Sequence, residues 1–157
     1  MTRATTKTPA LTWANNDGIM NKPELRCVVL ADRHHRLMEG VRSLLETTFE
    51  VVVMVADETS LSEAIARLRV ALAVVDLSLT PGQGFGLVHR LRVQFPDLKL
   101  IVVGLHDGSE VAQSAMNAGA NGFVLTRAIA TDLFSAIDAV LEGNRYVSPG
   151  VSAKDRQ

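Results

Sequence analysis

The chain is short of the features that mark several protein classes. It has one cysteine in 157 residues, Cys27. A lone thiol excludes an internal disulfide framework and every metal site built from several thiolates. No apolar run approaches the roughly 20 residues a membrane-spanning helix needs. The net charge is only −1, so these residues carry no electrostatic footprint for nucleic acid or an anionic membrane surface. The opening stretch, MTRATTKTPALTWANNDGIMNKPE, lacks the apolar segment of a secretory signal. It is polar and without period, and reads as a disordered tail over residues 1–24, with Met20 a candidate translation start. What is present is ordinary for a cytoplasmic globular protein: 47% hydrophobic and 21% charged residues, enough for one domain with a real core.

From Leu25 onward, short apolar runs alternate with stretches of helical period. The runs are Cys27–Ala31, Val51–Ala56, Ala71–Val75, Leu98–Val103 and Gly122–Leu125. They are nearly continuous in Val, Leu and Ile, as strands covered on both faces must be. Cys27 falls inside the first and reads as a small core residue. Between the runs, apolar residues recur at helical spacing: Met38, Val41 and Leu45, then Leu61, Ile65 and Leu68, then Val88, Leu91 and Phe95. Val111, Ala115 and Ala118 come next, and the last set is Leu133 or Phe134 with Ile137 and Val140 or Leu141. Gly119 and Gly143 stand where helices should end, and Asp107 or Ser109 where one should be capped. Five strand–helix units with right-handed crossovers give a single (βα)5 three-layer sandwich around a parallel five-stranded sheet.

In such sheets ligands bind beyond the carboxyl ends of the strands, where the strand order reverses. Asp32 ends the first run and Asp76 the third. If those strands are neighbours, two carboxylates meet in one cleft, where they could hold a divalent cation or prepare an acid to attack phosphorus.

The segments VVLADRHHRLMEGVRSLL, LAVVDLSL, KLIVVGLHDGSEVAQSAMNAGANGFVL and ATDLFSAIDAVLEGNRYVSP together resemble a response-regulator receiver domain of two-component signalling. The resemblance runs from Leu25 to Pro149 and is greatest to receivers that precede a helix-turn-helix output domain. It implies a flavodoxin-like receiver fold over residues 25–147, with 148–157 a tail or the start of a linker. It also implies that Asp76 accepts a phosphoryl group from a histidine kinase in a phosphorelay. Asp32, Asp76 and the backbone carbonyl of Ser78 would be the remaining Mg2+ ligands.

Several family positions differ here. The second acid after the first strand, a direct Mg2+ ligand in the family, is Arg33, which has no acceptor atom. Gly104 stands at the end of the fourth strand, where the family has a Thr or Ser that bonds the phosphoryl group. Thr126 stands in place of the family's Lys. Arg127 could substitute only if the chain has left the sheet there, because one step along a strand reverses the side chain. Phe123 matches the switch aromatic without a hydroxyl, and Pro81 comes one position late. The expected protein is therefore an atypical receiver, binding Mg2+ weakly or not at all and needing no other cofactor.

Blander assignments stand beside these. Asp76 could be a turn carboxylate satisfied by backbone N–H groups. Arg33 is either a solvated residue or an internal cation bridging Asp32 and Asp76. His34, His35, His89 and His106 lack ligand spacing and read as surface residues. The GQGFG stretch, Gly82 to Gly86, comes after the third strand rather than the first and is a weak phosphate-loop signal. No Ser–His–Asp or Cys–His arrangement suggests an enzyme. Two alternatives remain: a pseudo-receiver that binds protein partners without phosphorylation, and, remotely, a flavodoxin-like cofactor carrier. The partner is a histidine kinase or another signalling protein. The last helix, with Ile129, Leu133, Phe134, Ile137, Val140 and Leu141, carries an apolar surplus that would suit a homodimer.

Overall fold

A computed structural model describes residues 27–34, 36–82 and 84–151, with no side-chain placement for 36–38. The tail expected over 1–24, Met20 and His35 lie outside the described residues. The strands are β1 (Cys27–Ala31), β2 (Val51–Val55), β3 (Leu72–Asp76), β4 (Leu100–Gly104), β5 (Gly122–Leu125) and β6 (Tyr146–Val147). The helices are α1 (Arg36–Leu45), α2 (Glu58–Arg67), α3 (Phe85–Gln94), α4 (Ser109–Ala118) and α5 (Ile129–Leu141). All strand pairs are parallel, in the order β2-β1-β3-β4-β5-β6. The sheet thus has six strands rather than five.

The pleat sorts the side chains. Val28 and Leu30 of β1 face a layer built by Val41 and Leu45 of α1 with Leu133, Ile137 and Val140 of α5. Cys27, Val29 and Ala31 face the other way, toward Leu61 of α2, Leu87 and Leu91 of α3, and Ala112 and Ala115 of α4. Both sheet faces are therefore covered, which is why the strands read as unbroken apolar runs rather than alternating ones. Burial pushes the Cys27 thiol pKa up, as befits a core residue.

The helix ends depart from expectation in one place. Gly119 and Gly143 do end α4 and α5, at φ of 130° and 93°. Neither Asp107 nor Ser109 caps α4, however. Gly108 does, without a side-chain bond. The apolar surplus expected on α5 is mostly core: Ile129, Leu133, Ile137 and Val140 are buried. Phe134 and Leu141 are half-buried against the same layer. Most of the wide stripe thus serves the sheet, with Phe134 and Leu141 left half-buried.

The two-residue β6 carries no periodicity, and its register rests on the residues just beyond it. Ser148 is buried, and its N–H donates to Phe123 O at 2.9 Å. Its Oγ accepts from Leu125 N at 3.0 Å and donates to Asp132 Oδ2 at 2.8 Å. Further along, Val151 is buried against the α2–α4 layer. Ser148→Ala leaves the Leu125 N–H buried without an acceptor, so it should cost about 1–3 kcal/mol in chemical denaturation. A loss below a few tenths would mean that the residues after β6 do not hold the β5 edge.

Candidate functional site

β1 and β3 are adjacent in register, Ala31 beside Val75, so Asp32, just beyond β1, and Asp76, the last residue of β3, stand at the same level. The two acids line one small cavity of about 20 Å3, with Leu30, Val41, Val74 and Ile129 as apolar walls. That is room for about one water or a bare cation. The expected pairing of Asp32 and Asp76 is present.

Each acid is also held by its own turn. Asp32, 4% exposed, accepts from His34 N at 3.1 Å. Asp76 caps the 3-10 turn Leu77–Leu79, where its Oδ1 accepts from Ser78 N and Ser78 Oγ, both at 2.8 Å. The bland account of a strand-end acid satisfied by its turn thus holds locally for both. It explains how a carboxylate can end a buried strand, but not why two such acids share a cavity.

The other family positions do not converge on these acids. Arg33 is exposed, and among the described residues it forms no ion pair with Asp32 or Asp76. The internal-cation reading therefore gives way to a solvated side chain. Thr126 opens a second 3-10 turn, Thr126–Ala128, so the chain has left the sheet at this point. Arg127 is nevertheless turned elsewhere, to Asp107 Oδ2 at 3.2 Å. Thr126 Oγ1 is buried without a partner among the described residues. Thr126→Val, which keeps the shape and removes the orphaned hydroxyl, should leave stability unchanged or raise it by about 1 kcal/mol. A clear loss would show that the hydroxyl is bonded in solution.

At the end of β4 the vacancy left by glycine is filled. A Cβ on Gly104 would lie 3.0 Å from Cε1 and Cζ of Phe123 and 3.3 Å from Leu77 Cδ1. The Phe123 ring is fully buried. The absent side chain and the inward aromatic are thus one packing arrangement.

On the far side of Asp76, a wider cleft of about 190 Å3 opens between the β3–α3 and β4–α4 loops. Gly82 and Gly84 of the GQGFG stretch shape the first of these loops at φ of 86° and 81°. They turn the chain into α3, whose second turn is clamped to α2 by Arg90 and Glu58, paired twice at 2.8 Å. That pairing holds the Glu58 carboxyl below its usual pKa. His34, His89 and His106 are exposed. No group of three or more His, Cys, Asp or Glu that could hold a metal ion occurs among the described residues. The acids lining the small cavity are two carboxylates, each bonded by its own turn.

Sequence reasoning missed the Ser148–Asp132 link and the Gly104–Phe123 contact. The first had a signal in the polar Ser between Val147 and Pro149, and the second had none.

Comparison with known proteins agrees with this arrangement. The family model for the response regulator receiver domain matches residues 28–138. The transcriptional regulatory protein DegU of Brevibacillus brevis is 28% identical over 127 residues, which are 80% of this chain and 54% of DegU. The chain thus spans about half the length of that relative. The isolated receiver domain of RcsB from Salmonella enterica serovar Typhimurium, in its apo form, superposes with a TM-score of 0.74 at 27% identity. That match covers 84% of this chain and 99% of the RcsB domain. RcsB from the same organism bound to a promoter matches with a TM-score of 0.71 at 26% identity, over 81% of this chain and 64% of RcsB. With a DNA-bound relative in view, the low charge of these residues is no ground for excluding nucleic acid. No helix among the described residues is long and apolar enough to cross a membrane.

Proposed function

We propose, because this chain belongs to the response regulator receiver domain family, that it is a signalling receiver with Asp76 at the phosphoacceptor position and with impaired Mg2+-dependent phosphorylation there. The observation that carries this reading is the packing of Phe123 onto Gly104. The hydroxyl that would bond a phosphoryl oxygen is missing, and buried aromatic carbon lies 3.0 Å from where a Cβ at this position would stand. Among the described residues no other group supplies the loss. Thr126 brings no charge, Arg127 is committed to Asp107, and Arg33 adds a positive charge where the family has a metal ligand. Removing one preorganised donor from a site of developing charge costs roughly a hundred- to a thousand-fold in rate. Phosphoryl transfer depends almost wholly on such groups.

A second reading, a pseudo-receiver that binds a histidine kinase or another signalling protein without phosphoryl transfer, is favoured by the turn that holds Asp76. Its Oδ1 is already taken twice by Ser78. Incubation with a small acyl phosphate and Mg2+, then intact-mass spectrometry, tests the proposal. A slow, substoichiometric gain of one phosphoryl group, lost in Asp76→Asn, is expected. No gain at all would favour the pseudo-receiver. Rapid stoichiometric phosphorylation would sink the claim of impairment.

A further inference from the structure

The 190 Å3 cleft beside Asp76 is larger than a water or metal site requires. An apolar cavity of about 150 Å3 takes a benzene molecule, so this one is of single-ring size. Its lining is largely apolar, with Leu77, Phe85, Leu105 and Val111 beside the polar Asp76, Ser78 and His106. Leu105 is 71% exposed, an apolar side chain left in water at the edge of the cleft. Among the described residues the carboxylate has no counter-charge. Among the described residues only Ser78 donates to it, both times at Oδ1, and no Lys, Arg or His pairs with it.

We propose that this cleft binds a small organic cation, with a primary ammonium on the Asp76 carboxylate and an aromatic or short aliphatic body between Leu77, Phe85, Leu105 and Val111. The chemistry favours such a ligand over its competitors. A hydrated dication gains nothing from four apolar walls and needs several oxygen ligands. An anion would meet Asp76 directly. A neutral ring gains the apolar contacts but leaves the carboxylate unpaired. An ammonium on an apolar body uses both the carboxylate and the apolar lining, and the Phe85 ring adds an aromatic surface suited to a cation or a second ring. The proposal rests on the reading of Asp76 as an acid that holds Mg2+ poorly.

Titration of the whole chain with benzylammonium, benzyl alcohol and benzoate, monitored by backbone amide NMR, tests it. Benzylammonium should give saturable shifts at Ser78, Gly104, Leu105 and His106. Benzyl alcohol should bind at least tenfold more weakly at the same amides, and benzoate not at all. Asp76→Asn should lower the benzylammonium affinity to that of the alcohol. Leu105→Ala, on an exposed side chain that does not hold the fold, should weaken both ligands several-fold. Shifts that fail to saturate, that spread over the surface, or that persist unchanged in Asp76→Asn would overturn the site, as would equal binding of benzoate. A repeat in excess Mg2+ separates the two claims. Unchanged benzylammonium affinity keeps both, whereas strong competition by Mg2+ keeps the site and removes the claim of poor metal binding.

Discussion

Gly84→Ala should destabilise the protein by about 3 kcal/mol or more, while Gly82→Ala, two residues earlier, should cost only about 1 kcal/mol. Both glycines have positive φ, 81° and 86°, so both substitutions pay the same left-handed strain. They differ in what a methyl group would meet. At Gly82 nothing lies within 4 Å. At Gly84 the new Cβ would run into the carbonyl oxygen of Leu77 and lie 2.9 Å from Leu77 Cδ2. A backbone carbonyl cannot rotate aside as a side chain can, so the loop must move. Leu77 directly follows Asp76, and that movement strains the turn in which Ser78 holds the carboxylate. For a domain of this size, 3 kcal/mol corresponds to a fall in melting temperature of about 6–12 °C. Thermal denaturation of the two variants side by side checks this. Equal losses would mean that the β3–α3 loop adapts freely and does not fix Asp76.

The second large effect is on metal affinity. Arg33→Asp exchanges a positive charge for a negative one beside the acid cleft and supplies an oxygen ligand. Exchanging +1 for −1 at roughly 8 Å from a dication, in a water-like dielectric, changes the interaction by about 2 kcal/mol. That is a roughly thirty-fold gain in affinity at low ionic strength, before any direct coordination is counted. Calorimetric titration with Mg2+ should therefore show little or no heat for the natural chain and a clear isotherm for Arg33→Asp. Since Arg33 is exposed and forms no ion pair among the described residues, the stability cost should come mainly from repulsion among three carboxylates. The variant should not regain full phosphorylation, because Gly104 and Thr126 are unchanged. Equal Mg2+ affinity in both proteins would show that position 33 has no influence on the cleft.

How much of this was legible beforehand divides along physical lines. β1 and β5 fall on their apolar runs residue for residue, because strands buried on both faces announce themselves by composition. The meeting of Asp32 and Asp76 comes from two strand ends and one adjacency, and needs no side-chain detail. β6 escaped notice because two residues hold no period. Its place is set by Ser148, a contact 23 residues away from Leu125 in sequence. The direction of Arg33 was undecidable from sequence, since a long exposed side chain is placed by solvent rather than by a pattern. The Gly104–Phe123 packing was equally hidden. Sequence shows a missing hydroxyl at one position and an aromatic at another, but only the register of β4 and β5, with Gly104 opposite Leu125 and Val102 opposite Phe123, brings the ring to the vacancy. The α5 surplus is ambiguous in sequence for the opposite reason, because a helix between sheet and solvent can bury most of a wide stripe.

The central claim is that the acid cleft around Asp76 has lost the partners that an acyl phosphate needs. Its most direct test is the backbone amide spectrum of the natural chain with beryllofluoride and Mg2+ added together, since beryllofluoride mimics an aspartyl phosphate and is held by the same donors. The expected result is little change at Asp76, Ser78, Gly104 and Thr126, even at millimolar Mg2+. Saturable, Mg2+-dependent shifts at these residues, spreading to Phe123 and the start of α4, would contradict it.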